Sequence, residues 1–211
     1  MNLMGFFVLQ AKSRLYKGVF MNRKETTEFL SNLLIQERLS GVGKYYAKEV
    51  VFDYGTAHPK RVDFVQYAPG GATYIGEIEN GKCICYEIKS CKEDVYSGNG
   101  LNFFGDENYI VTTMECYKSL LPDMQSGKLS KHILEMNNNR LPGYSFLIAV
   151  PDKTVLERFN PQQALMKEYE NTTPLESYDY WRFAKMNTNS KKTCRTRSLT
   201  EFLFCMVRSG R

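Results

Sequence analysis

Three residues carry the chemistry legible in this chain: Asp63, and the pair Glu87 and Lys89 spaced one residue apart, the chain's only Glu-x-Lys. Alternate side chains on a β-strand share a face. If Lys82 to Ser90 is a strand, Glu87 and Lys89 therefore project together, while Ile84, Tyr86 and Ile88 turn to an apolar side. Asp63 stands between Val62 and Phe64, and the same alternation predicts that it points away from both neighbours. On adjacent strands, Asp63 and Glu87 can converge on one cation. Phosphodiester hydrolysis needs a hard cation that polarises the phosphoryl oxygen and acidifies water, and carboxylate oxygens suit Mg²⁺ or Mn²⁺. A neighbouring lysine orients the water and stabilises charge in the transition state, worth on the order of a hundredfold in rate. The bland alternative for Glu-x-Lys on a strand is a surface ion pair.

The elements that must position these residues are marked by their own signals. From Arg23 to Leu39, Phe29, Leu30, Leu33 and Leu34 recur at helical spacing behind an Asn22/Glu25 capping pair, and Ser40, Gly41 and Gly43 end the run. Lys44 to Tyr54 and Arg61 to Tyr67 are rich in Val, Tyr and Phe and flank a turn from Gly55 to Lys60, which predicts two paired strands. Tyr74 to Glu79 and Lys82 to Ser90 read as strands joined at Asn80-Gly81, a hairpin-type turn signal. Ser97 to Asn102 reads as a loop, Tyr109 to Thr112 as a short strand, and Met114 to Leu121 as a helix stopped by Pro122. Ser145 to Val150 is an apolar run ended by Pro151, as in a buried strand. Near the C-terminus, Ser198 and Glu201 form a capping box for a helix whose apolar face is Leu199, Phe202, Leu203, Met206 and Val207, with Gly210 as its stop. Asn187 to Thr193 reads as a polar loop.

At 211 residues with 43% hydrophobic content, the chain has enough apolar surface for one ordinary domain. Residues 1–21 read as a peripheral extension, because Met21 opens a second plausible start. The net charge of +5 is mildly basic; its distribution is the informative part. Arg182, Lys185, Lys191, Lys192, Arg195 and Arg197 meet no acidic residue and follow Tyr180, Trp181 and Phe183, which makes this stretch the candidate phosphate contact. A solvated basic loop is the plain alternative. The six cysteines contain no CxxC pair and form no zinc pattern with His58 and His132. Reduced, partly buried thiols in a cytoplasmic protein are the expectation. The short apolar run Leu3 to Leu9 has neither a basic lead nor a cleavage site, and no apolar run approaches a membrane span.

Taken together, Val62-Asp63 and Glu87-Ile88-Lys89 resemble the PD-(D/E)XK nuclease superfamily. Its core runs helix, three strands, helix, strand, with an Asp on the second strand and Glu-x-Lys on the third. The segment from Cys85 to Thr112, CYEIKSCKEDVYSGNGLNFFGDENYIVT, and the last helix, SLTEFLFCMVRSGR, resemble the MmcB-like branch of DNA-repair and phage-borne nucleases. Val62 replaces the proline that precedes the Asp in the family pattern. The resemblance implies an α/β fold with a restriction-endonuclease-like core, a central mixed β-sheet flanked by helices in the order αβββαβ. It also implies a Mg²⁺- or Mn²⁺-dependent nuclease acting on DNA. Asp63 and Glu87 would be metal ligands, Lys89 the water-positioning residue, and Glu28 on the first helix the candidate for a further ligand. Asn102 and Tyr109 occupy positions where the family carries recurring polar and aromatic residues, yet a loop cap and a core tyrosine explain them equally. The reading from a different class is a catalytically silent DNA-binding or regulatory module that keeps the fold. DNA structure preference, endonuclease or exonuclease action, and oligomeric state, a homodimer included, stay open.

Overall fold

The structure, a computed structural model, describes residues 22–71, 74–152, 181–188 and 194–209. Residues 1–21, Lys191, Lys192, most of the predicted 187–193 loop and Gly210 lie outside the described residues.

Helix α1 spans Arg23–Leu34, and Ile35–Leu39 continue it as a turn of π-helix. Asn22 and Glu25 form the predicted reciprocal capping box, the Asn22 side chain accepting the Glu25 N–H and Glu25 accepting the Asn22 N–H. Strands β1 (Tyr45–Phe52) and β2 (Lys60–Ala68) pair antiparallel as expected. Strand β3 (Lys82–Lys89) lies antiparallel to β2. Strand β4 (Glu107–Thr113) lies parallel to β3, and β5 (Ser145–Pro151) parallel to β4. Strand β6 (Trp181–Asn187) closes the order antiparallel to β5. The described strands thus form a six-stranded mixed open sheet in sequence order, β1 to β6.

Helices cover both faces. On one side α1 packs Phe29, Leu30, Leu33 and Leu34 against Phe64, Tyr86, Ile88, Val111 and Leu147. On the other, α6 (Leu199–Ser209) lays Phe202, Cys205 and Met206 over Val50, Val62, Val65, Cys83 and Cys85. Beside it, α4 (Met114–Gln125) and α5 (Lys128–Met136) cover Ile110, Phe146 and Ile148 with Leu120, Leu129 and Ile133. No helix among the described residues is long and apolar enough to cross a membrane. All six cysteines are free: Cys83, Cys85, Cys116 and Cys205 are buried, Cys91 is half-buried and Cys194 is exposed.

Three expectations are corrected. Ile75–Glu79 is a helical turn, α2, rather than a strand. Its Glu77 carbonyl accepts the Gly70 N–H, and Asn80-Gly81 leads from a helix end into β3 instead of closing a hairpin. Pro122 does not stop α4, which runs to Gln125. The proline removes one N–H bond, while the buried Asp123 anchors the last turn by accepting from Tyr96 and Lys92. Between β3 and β4 the helix implied by the αβββαβ order is the single turn α3, Lys92–Val95.

Candidate active site

The regular alternation predicted around Asp63 fails there. Val62 and Val65 both face α6, whereas Phe64 between them faces α1. On the neighbouring strand Ala47 and Val50 likewise share the α6 side, and Glu49, across from Asp63, holds a left-handed φ of 52°. Both strands therefore change side at this point. The β2–β3 ladder ends at Phe64 and Tyr86, so the next positions outward are Asp63 and Glu87. Released from the ladder, Asp63 Oδ2 accepts the Ile88 N–H at 2.8 Å.

Glu87 and Lys89 share the sheet side opposite Tyr86 and Ile88, which join the α1 cluster as expected. Glu87 is fully buried. Its Oε1 accepts the Asn102 N–H at 3.0 Å, and its Oε2 is buried with no hydrogen-bond partner among the described residues. Lys89, 4% exposed, donates from Nζ to the Asn99 carbonyl at 2.7 Å and stands 4.0 Å from Asp94 Oδ1. Asp94 accepts the Ser90 N–H and pairs with Arg23 of α1. The loop 97–102 roofs this pair through Gly100, whose φ of 76° suits glycine. A Cβ at Gly100 would fall 2.6 Å from Glu87 Oε2 and 3.0 Å from Lys89 Nζ.

Burial raises the Glu87 pKa well above the ordinary carboxyl value; the Asp63 charge adds to the effect, and Lys89 and the Asn102 N–H oppose it. Burial also raises Asp63, against the Ile88 N–H and Lys89. The site is thus one buried and one half-buried carboxyl whose charge is incompletely compensated by one lysine, an arrangement costly to ionise without a further cation.

Asp63 and Lys89 open into a cleft of about 960 Å³ beyond the carboxyl end of β3, the end of parallel strands where open α/β sheets carry ligand sites. Arg23, Thr27 and Ser31 of α1 form one wall, and Lys48, Lys60 and Arg61 of the β1–β2 hairpin line the other side. Arg61 pairs with Glu49 at 2.9 Å.

Glu28 is exposed and outside this cleft. The α1 stripe that faces it repeats every fourth residue from Arg23, and Glu28 lies about 100° around the helix from Thr27. Of the basic stretch, the described residues Arg182, Lys185, Arg195 and Arg197 are likewise not brought to the cleft. Arg182 and Lys185 stand on β6 at the far edge of the sheet, Lys185 donating to Tyr109 Oη at 2.8 Å. Arg195 pairs with Asp106, and Arg197 with Asp53 and Glu201. These two arginines tie the C-terminal segment to the sheet. Sequence reasoning missed Arg23, Lys48, Asp94 and Gly100. Only Asp94, five residues beyond Lys89, carried a signal by its closeness to the Glu-x-Lys pair. Asn102 holds Glu87 through its N–H and the Arg61 carbonyl through Nδ2 at 2.8 Å, and Tyr109 is a core residue stacked on Tyr86.

Comparisons with family models, curated proteins and solved structures return no match.

Proposed function

We propose that the protein is a metal-dependent nuclease that hydrolyses phosphodiester bonds in DNA, on a restriction-endonuclease-like core of the PD-(D/E)XK type. The observation that carries the reading is the orphaned Glu87 Oε2, buried beside Asp63 and Lys89 at the edge of a cationic cleft. Among the described residues no three His, Cys, Asp or Glu side chains converge as a ready-made cage. The donor set suits instead Mg²⁺ or Mn²⁺ bound by one or two carboxylates, with water and substrate oxygens completing the shell. Asp63 and Glu87 would hold the cation, which supplies Lewis acidity and a water of lowered pKa. Lys89, fixed by Asn99, keeps its ammonium where charge builds on the phosphoryl group. Arg23, Lys48, Lys60 and Arg61 attract and orient the phosphodiester.

The test is cleavage of labelled single-stranded, duplex and branched DNA in EDTA, Mg²⁺ or Mn²⁺. Cleavage that needs the metal and falls by on the order of a hundredfold or more in Lys89→Ala is the expected result. DNA binding without cleavage in any metal sinks the enzyme reading. It would favour the second one, a silent DNA-binding module, which one observation supports: Gly100 covers Glu87, so a cation reaches Oε2 only if the loop 97–102 shifts.

A further inference from the structure

A second cleft, about 330 Å³, lies on the same side of the sheet at the other end of α1. Arg38 and Lys44 line it together with Gln66, Tyr86 and Tyr109. The π turn Ile35–Leu39 delivers Arg38 to this place, and such turns recur at functional sites. Arg38 Nε is buried without a hydrogen-bond partner among the described residues. The Glu37 Oε1 forms only a long ion pair with it, at 3.9 Å and beyond hydrogen-bond reach, while Glu37 Oε2 accepts the Phe183 N–H at 2.6 Å. Glu107, the other acid here, accepts from Lys82 and Tyr109. The donor left over is therefore cationic.

A row of side chains joins the two clefts. Lys44, just before β1, lines the second cleft; Tyr46 packs beside Phe64, ring centroids 6.5 Å apart; Lys48 sits 5.7 Å over the Phe64 ring and lines the first cleft. Their alternation puts all three on the α1 side, along about 13 Å of chain. Strand β1 is the sheet's edge. Among the described residues no carboxylate lies within ion-pair reach of Lys44 or Lys48.

The geometry points to a single polynucleotide strand as the substrate, laid along the α1 side of β1. One phosphodiester sits in the active cleft, and further phosphates rest on Lys48, Lys44 and Arg38. This rests on the nuclease reading for its chemistry, but not for its binding. Cations interleaved with an aromatic ring along one track are the pattern of single-strand binding. A duplex is read by an element that protrudes into a groove. Here the cations line recesses, and the acid groups lie deeper still, with Glu87 fully buried.

The test is fluorescence anisotropy of the full chain in EDTA over a salt series, with labelled single-stranded DNA, single-stranded RNA and the matched DNA duplex. Single strands should bind more tightly than the duplex. Whichever of DNA or RNA binds better identifies the sugar, and equal binding places recognition in the phosphates; each of these supports the track. The double variant Lys44→Ala/Lys48→Ala should bind on the order of tenfold more weakly, with the salt slope reduced by about 0.7 for each phosphate no longer neutralised. Arg38→Gln should move the same way, with circular dichroism and melting point confirming the fold, and Arg182→Ala on β6 should bind as wild type. Duplex bound as tightly as single strand, unchanged binding in the folded track variants, or an equal loss in Arg182→Ala overturns the proposal. Cleavage that persists while the track variants bind normally sinks the track alone. Track-dependent binding with no cleavage in any metal sinks the nuclease reading alone.

Discussion

At the scale of single residues, Glu87 and Asp63 tie stability to protons and cations. Below the ordinary carboxyl range near about 4 both groups are neutral, folded or unfolded. As pH rises through that range the unfolded chain ionises first, while burial keeps the folded carboxyls protonated. Their contribution to stability is therefore full at low pH and is lost as pH rises through the raised folded values. Glu87→Gln keeps the shape and cannot ionise, so near neutral pH and without metal it should melt a few degrees above wild type, at about 2–4 °C per kcal/mol for a chain of this size. Mn²⁺ should raise the melting point of wild type and leave that of the variant unchanged. Thermal melts in EDTA and Mn²⁺ check both, and a lower melting point for Glu87→Gln in EDTA would contradict the electrostatic account.

At the scale of elements, the loop 97–102 carries the sharpest contrast. Gly98 and Gly100 have nearly the same φ, 77° and 76°, but a Cβ at Gly98 meets nothing within 4 Å, whereas at Gly100 it meets the Glu87 carboxylate. Gly98→Ala should cost about 1 kcal/mol from backbone strain alone and keep its cleavage rate. Gly100→Ala should cost at least as much and lose on the order of a hundredfold in rate, because the carboxylate must move. Denaturant melts set beside rates separate the two effects, and equal rates would remove the loop from the site. The same contrast explains what the sequence could disclose. Capping and periodicity located α1 and α6, and Val- and Tyr-rich runs located β1, β2 and β5, because these signals are local. Asp63 and Glu87 meet because the strand pairing joins them, and the sequence hinted at that through alternation. The side change at Glu49 and Asp63 left no mark in residue type, since it depends on how two strands settle against each other. Gly100 over Glu87 is a long-range contact and equally silent. Asn80-Gly81 misled for a related reason: Tyr67 Oη and the Gly70 N–H capture the carbonyls of α2 and fold that segment as a helix.

At the scale of the whole molecule, the C-terminal segment is fastened from the side away from the clefts. Arg197 pairs with Asp53 at 2.6 Å and lies 5.0 Å over the Phe104 ring, and Arg208 donates to the Val51 carbonyl and covers Tyr54. Arg197→Ala should destabilise by about 1 kcal/mol, modest because the pair is partly exposed, and should leave nucleic-acid affinity as in wild type. Urea unfolding and anisotropy measure the two; an affinity loss without a stability loss would return Arg197 to the binding surface expected from sequence. The distribution of cysteines has a practical corollary. Burial pushes the Cys83 thiol up to about 12 and the Cys116 thiol up to about 11, and it raises Cys85 and Cys205 as well. Thiolate is the reactive form, so at neutral pH these four are chemically silent while the fold holds. Cys194 is exposed, two residues after Lys192 and directly before Arg195. A maleimide dye should therefore enter the native chain there first, giving a site-specific optical reporter on the unmutated protein.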